Sequence, residues 1–367
     1  MCLTTVIRRI IRKRGPLSFR DFMEMALYYP GLGYYTSSKN KIGKDGDYFT
    51  SASYSSLMGT LLARQLREMW NELGGGEFTI VEFGAGNGSL CRAILRELKN
   101  TPELYRQLRY AIIEKSEAMR LRQTKKRFPK PVSWHRSIRE LAPISGCVIS
   151  NEVVDNFAVY KVVMEKELRE IQVACGDDFY ETERPAPEPL KQYLSELKIN
   201  LPPGFRTEIN LEATKWITEI GASMEKGFVL TVDYGYPSSQ LYHYDRRGGT
   251  LLCYQNHTVN DLPYKDVGTQ DITAHVNFSA LRHWGERAGL AFTGYTNQAM
   301  FLRALGLAPT LAAWQKNYHS HPMNEERVAR FIQTFLVEMG SRFKVLVQHK
   351  GISSPRLSGM AFSSHIE

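Results

Sequence analysis

The sequence predicts an α/β fold whose core is a mostly parallel, Rossmann-like sheet with one antiparallel edge strand. Three observations predict it. Between residues 77 and 157, short apolar runs alternate with helix-length segments, the pattern of parallel strands joined by crossover helices. The stretch TIVEFGAGNGSL, residues 79–90, passes from an apolar run through Gly84, Gly86 and Gly88 into a helical pattern. The alternation breaks at 158, and the apolar run GFVLTVDYG resumes it at 227–235, as if an insertion separated two strands of one sheet.

The elements follow in order. Leu3, Val6, Ile7, Ile10 and Ile11 recur at helical spacing, with Arg8, Arg9, Arg12, Lys13 and Arg14 between them. The pattern suits a first helix with its apolar face inward, and also an organelle-targeting or membrane-surface helix. The first reading is favoured because motif-like sequence begins at once at Gly15. A helix is expected at 19–28 and another at 54–73, closed by Gly74, Gly75 and Gly76. The Gly-, Ser- and Tyr-rich stretch 28–52 between them reads as a loop. Strands are expected at 79–83, 109–114, 131–134 and 146–150, and helices at 88–98, 116–127 and 137–141. From 158 an antiparallel meander turns near Lys166 and Gly176, then runs through RPAPEP at 184–189 into helices at 190–197 and 209–224. After the sheet resumes, 250–254 and 291–296 read as strands and 277–288, 299–306 and 324–339 as helices. FKVLVQ at 343–348 reads as the last, edge strand. The organisation expected is a helical and lid region over 1–75, a core over 76–300 with an insertion at 158–226, and a completing segment over 301–367 with helices and the edge strand.

A chain of 367 residues, 43% hydrophobic, has ample material for a large core. The net charge of +9 suits an acidic partner, nucleic acid or a membrane surface without choosing among them. Cys2, Cys91, Cys147, Cys175 and Cys253 are scattered with no CxxC pair, which argues against a disulfide framework and a zinc site and for a reducing compartment. His319 and His321 are a weak metal signal, and no metal is expected. No apolar run approaches the roughly 18 residues of a membrane span.

Three kinds of glycine loop compete for residues 84–89. A phosphate-binding P-loop ends in Gly-Lys-Ser/Thr, but Gly88 is followed by Ser89 and Leu90. The dinucleotide fingerprint puts its third glycine at 89, where this chain has serine. The pattern present is Glu82-x-Gly84-x-Gly86-x-Gly88, which resembles motif I of the class I S-adenosylmethionine-dependent methyltransferases. That cofactor has no pyrophosphate. Glycines let the backbone approach it, and an acid at the strand end organises its ammonium side. A second acid should reach the ribose from the next strand end, and YAIIEKS supplies Glu114 there.

Further segments carry a closer resemblance. GPLSFRDFMEMALYYPGLGYY at 15–35, GDYFTS at 46–51, VEFGAGNGSL at 81–90, IEKS at 113–116, SNEVVDNF at 150–157, VDYG at 232–235 and GTQDITAHVNF at 268–278 stand in order. Together they resemble the MidA-like methyltransferase family, from about Gly15 to MGSRFKVL at 339–346. The resemblance implies S-adenosyl-L-methionine as cofactor. Mitochondrial members of that family are complex I assembly factors that methylate protein arginine, so it also implies a protein substrate, with a complex I subunit as candidate. Two positions depart from the family pattern: Asn156 stands where a small residue is expected, and Ala158 where proline is. The family pattern begins within the first twenty residues, which suggests a bacterial-type, cytoplasmic member.

Arginine stays protonated and is a poor nucleophile, so a workable site pairs its guanidinium with carboxylates. SNEVVDNF offers Glu152 as the main clamp and Asp155 as its partner, just past the fourth strand. Asn151 as a helix cap, with both acids merely favouring a helix N-terminus, is the structural alternative. Asp233 and Tyr234 could close the same pocket. Asp271 and His275 share a face if their segment is helical; His275 is a candidate base for the released proton, with a structural histidine the favoured reading. The Tyr28 to Tyr35 loop and GDYFT look like a lid, and Asp47 within it is a further candidate cofactor contact. An RNA or small-molecule methyltransferase on the same fold, and a non-catalytic cofactor-binding assembly factor, are the competing functions. No RNA-binding module is visible, and a homo-oligomer is allowed.

Overall fold

The computed structural model describes residues 2–37, 56–255, 258–317 and 340–366. Its largest sheet runs, strand by strand, Ala291–Asn297, Phe343–Lys350, Met224–Tyr236, Ile144–Asn151, Phe78–Phe83, Leu108–Ile113, Val132–His135, with Val276–Asn277 beside the end of Met224–Tyr236. The five strands from Met224–Tyr236 to Val132–His135 are parallel neighbours. Phe343–Lys350 is antiparallel to both its neighbours, Met224–Tyr236 and Ala291–Asn297. It is therefore an interior strand and not the edge strand the sequence suggested. Its burial explains the position: Val345, Leu346 and Val347 point to alternate faces and all are buried.

Helices cover both faces. On one face Leu90, Ile94, Leu95 and Leu98 of helix Ser89–Leu98 pack with Leu61, Leu62 and Leu66 of helix Ser56–Glu72 against Ile80, Ile112 and Ile149. On the other, Ala213, Trp216, Ile217 and Ile220 of helix Leu211–Ser223 pack against Val81, Val148 and Val229. Of the stretch 158–226, then, this last helix lies on the large sheet, and only about 160–209 leaves it. Those residues form a second, antiparallel sheet from Tyr160–Met164, Leu168–Cys175, Phe179–Pro185 and Arg206–Ile209. The N-terminus joins the same sheet, since Leu17 and Ser18 pair with Val173 and Gln172.

Leu3, Ile7 and Ile11 are buried in one cluster with Phe19, Phe22 and Val173. Each such side chain contributes about 1.5–3 kcal/mol when fully buried. The amphipathic N-terminal segment is thus the first helix, Leu3–Arg14, with its apolar face turned into the protein and Arg9, Arg12 and Lys13 exposed. No helix among the described residues is long and apolar enough to cross a membrane. The helix expected at 324–339, and His319 and His321, lie outside the described residues.

Candidate active site

A cavity of about 400 Å³ opens at the C-terminal ends of strands Phe78–Phe83, Leu108–Ile113 and Ile144–Asn151. In an open parallel sheet this is where ligands bind. The glycine loop forms its floor. Gly84, Gly86 and Gly88 have φ of 58°, 52° and 74°, a left-handed conformation that side chains disfavour. A Cβ at Gly84 would stand 2.9 Å from Val153 Cγ2, and one at Gly88 3.0 Å from Phe128 Cζ. Asn87 Oδ1 accepts from the Ser89 N–H at 2.9 Å and so starts the following helix.

Both predicted acids line the cavity. Glu82 is buried and bonded to the Tyr110 hydroxyl at 2.8 Å. Burial pushes its pKa up to about 7, against the pull of that hydroxyl. Glu114 accepts from the Ser116 N–H at 2.9 Å and from Gln123 Nε2 at 3.1 Å. Burial raises its pKa as well, and those donors hold it down. Gln123 is a site residue that the sequence reading missed. Its Nε2 also donates to the Gly86 carbonyl at 2.9 Å, and its Oε1 accepts from Trp134 Nε1 at 3.0 Å. One buried amide thereby ties the glycine loop to the second acid. A Gln among the helical residues 117–124 carries no local signal of that role.

The acids after strand Ile144–Asn151 separate. Glu152 lines the cavity, and its φ is +55° although it is not glycine. Strain of this kind costs about 1–3 kcal/mol and concentrates at functional sites. Asn151 Nδ2 donates to Glu152 Oε1 at 3.1 Å, so Asn151 orients Glu152, and the N-cap position of the short helix Val154–Asn156 is Val153. The cap comes instead from Asp233 on the neighbouring strand. Its Oδ2 accepts from the N–H groups of Val153, Val154 and Asp155 at 3.2, 2.9 and 3.4 Å. Asp233 and Tyr234 therefore support the loop from behind and do not line the cavity. Asp155 is buried behind it too, with Oδ1 lacking a hydrogen-bond partner. Burial, with Asp233 and Asp271 nearby, pushes its pKa well up.

Asp271 and His275 are not on a helix. Asp271–Thr273 is a short strand paired with Leu252–Gln255, as the β-branched Ile272 and Thr273 favour. His275 follows it and packs edge-on against Tyr234, with ring centroids 5.2 Å apart, outside the cavity lining. Burial, then Arg246 and Arg342, lowers its pKa to about 4, so it is a weak base at neutral pH. The lid reading of 28–35 fares differently. Tyr28 and Tyr35 line the cavity with rings stacked 5.5 Å apart. The Tyr35 hydroxyl reaches Asp271 Oδ2 at 2.8 Å and Asn156 Oδ1 at 3.0 Å. Asn156, the departure from the family pattern, thus ties the Tyr28–Tyr35 loop to Asp271. GDYFT and Asp47 lie outside the described residues.

On the opposite wall stands Trp216, 8% exposed, with its indole N–H buried and without a partner. Phe83 and Phe157 meet its ring at 5.5 and 5.9 Å between centroids. A backbone cradle that a Cβ would fill, the buried Glu82 and the half-buried Glu114 at successive strand ends, and an aromatic wall fit S-adenosylmethionine. Glu82 and the glycine loop suit its methionine end, and Glu114 its ribose hydroxyls. No group of side chains among the described residues could hold a metal ion.

Fold and site together define a class I S-adenosylmethionine-dependent methyltransferase. The sequence family described as "Putative S-adenosyl-L-methionine-dependent methyltransferase" matches residues 61–296, and the chain belongs to it. A Burkholderia thailandensis protein solved with S-adenosyl-homocysteine bound has the same fold, with TM-score 0.89 and 31% identity over 99% of this chain and 95% of that one. The chain is also similar to the mitochondrial protein arginine methyltransferase NDUFAF7 homolog of Drosophila melanogaster, 26% identical over 97% of this chain and 86% of the relative. The Bos taurus protein arginine methyltransferase NDUFAF7 is 26% identical over 83% and 74%.

Proposed function

We propose that this methyltransferase N-methylates arginine in a protein substrate. One observation carries the reading: Glu152, a carboxylate at the cavity wall, is held in a strained left-handed conformation at a strand end. S-adenosylmethionine supplies an electrophilic methyl on its sulfonium. The chain's residues then have to orient a guanidinium, draw its charge away from the attacking nitrogen and keep water out. Glu152 clamps the guanidinium fork and is the first acceptor for the proton it gives up. Asp155 is demoted from direct contact and stands as a buried support, with Asp233 fixing the loop that carries both. Tyr28 and Tyr35 form the roof, and Phe157 and Trp216 an apolar wall. The relatives named as protein arginine methyltransferases support the same substrate class. A complex I subunit is the proposed target, on the family resemblance.

The test is transfer of labelled methyl from S-adenosylmethionine in a lysate of cells lacking the protein. Acid hydrolysis of the labelled protein should release methylarginine. Label recovered only in RNA, in small molecules or in another amino acid would overturn the reading.

A further inference from the structure

We propose that the surface made by Tyr236, Arg246, Arg342 and Lys344 docks an acidic stretch of the protein substrate beside its target arginine, an inference that rests on the arginine reading above. Three segments meet there. Tyr236 ends strand Met224–Tyr236, Arg342 and Lys344 flank the start of its antiparallel neighbour Phe343–Lys350, and Arg246 ends the short helix Tyr244–Arg246. The Arg246 guanidinium carbon stands 3.9 Å from the centre of the Tyr236 ring, and Lys344 Nζ 5.9 Å from it. Burial, then Arg246 and Arg342, lowers the His275 pKa, so both arginines lie near that ring. None of the three cations has an ion-pair partner among the described residues. Arg246 donates to the Gln240 carbonyl at 2.8 Å and Lys344 to that of Ser341, while Asp245 pairs with His243 at 3.2 Å. Lys344 is half-buried, and burial lowers its pKa. An incoming carboxylate offsets that cost and the mutual repulsion of the cations, and a guanidinium laid on an aromatic ring keeps its edge donors free for one.

The order of the sheet sets this surface against the site. Glu152 follows strand Ile144–Asn151, with Phe78–Phe83 and its glycine loop on one side and Met224–Tyr236, then Phe343–Lys350, on the other. A guanidinium held by Glu152 therefore has the cofactor on one side and the basic surface on the other. Tyr254 lies between surface and site: burial is the main cause that raises its pKa, and both Arg342 and Glu152 act on it as charges. Phe343–Lys350 is two strand spacings, about 10 Å, from Ile144–Asn151, which about three residues of extended chain can span. A uniformly anionic strand such as RNA meets the Glu152 carboxylate as soon as it reaches the cavity. A peptide that carries an arginine with acids about three or four positions away matches both charges.

The experiment is fluorescence anisotropy with short labelled peptides in the presence of S-adenosylhomocysteine. Both peptides have a central arginine, one with aspartate and one with asparagine about three and four positions to either side. At low salt the wild type should bind the aspartate peptide about 5- to 10-fold more tightly, as a few exposed charge pairs provide. Raising the salt to about 0.5 M should remove most of that preference. Arg342→Glu, at an exposed position, and Lys344→Gln should each reduce it by at least about half while S-adenosylhomocysteine binds as before. Equal affinity for the two peptides, binding of neither, or a preference that both folded variants keep would overturn the proposal. A polyuridylate strand bound more tightly than the aspartate peptide would overturn it in favour of nucleic acid. A second pair of peptides with lysine at the centre separates this inference from the reading it rests on. The aspartate preference comes from the docking surface and should persist there, whereas failure of the arginine reading shows as label without methylarginine in the lysate.

Discussion

Asp233 accepts a 2.9 Å hydrogen bond from the backbone N–H of Val154, reaching from one strand end to the turn that follows its neighbour. With the bonds from Val153 and Asp155, one carboxylate holds the start of the short helix Val154–Asn156 that follows Glu152. Asp233→Ala leaves those buried N–H groups without their acceptor. It should cost about 3 kcal/mol by urea denaturation. It should also impair methyl transfer more than cofactor binding, because the glycine loop is untouched.

This relationship was not legible in the sequence. VDYG at 232–235 reads as a strand and turn, and only the parallel pairing of Met224–Tyr236 with Ile144–Asn151 brings Asp233 under Val154. The glycine loop was legible because its chemistry is local: strand, positive-φ glycines and helix are consecutive. Glu114 was legible for the same reason, as the residue just past the next strand. His275 misled because a spacing of four implies a shared face only on a helix, and Asp271–Thr273 is a strand. The interior place of Phe343–Lys350 has a signal in Val345, Leu346 and Val347, three consecutive apolar residues where an edge strand would alternate. Trp216 gave none, because its burial and its unpartnered N–H exist only after helix 211–223 has docked.

Tyr35→Phe removes the hydroxyl that joins the roof to Asp271 and Asn156. Stability should fall by about 1–3 kcal/mol. S-adenosylhomocysteine should dissociate faster, with a smaller change in its association rate, in stopped-flow displacement.

Gly86 has φ of +52°, which a β-branched residue adopts only at a steric cost. Gly86→Val should abolish calorimetric binding of S-adenosylhomocysteine while circular dichroism shows the fold retained. Undiminished affinity in a folded variant would remove the glycine loop from the cofactor site.

Glu82 has a folded-state pKa of about 7, raised mainly by burial, above the roughly 4.3 of an unfolded glutamate. Between those values the folded ligand-free protein holds the proton and the unfolded chain has lost it. Stability must therefore fall as pH rises through that window and level off above it. Glu82→Gln should flatten this part of the profile in denaturation at pH 4.5 to 8. Cofactor binding should release protons below pH 7, because the ammonium of the methionine end favours the ionised carboxylate. Titrations in buffers of different ionisation enthalpy measure that release.

The central claim rests on Glu152, and one paired measurement tests it most directly. Wild type and Glu152→Gln are compared for S-adenosylhomocysteine affinity and for labelled methyl transfer to protein arginine in the same lysate. Because Glu152 lies outside the glycine loop, affinity should stay within about 3-fold, less than one hydrogen bond's worth. Transfer should fall by at least about 100-fold, as for loss of a group that stabilises charge in the transition state. The amide cannot draw charge from the guanidinium, and its NH₂ opposes the substrate's donors. Methylarginine formed at the wild-type rate by a folded Glu152→Gln would contradict the account.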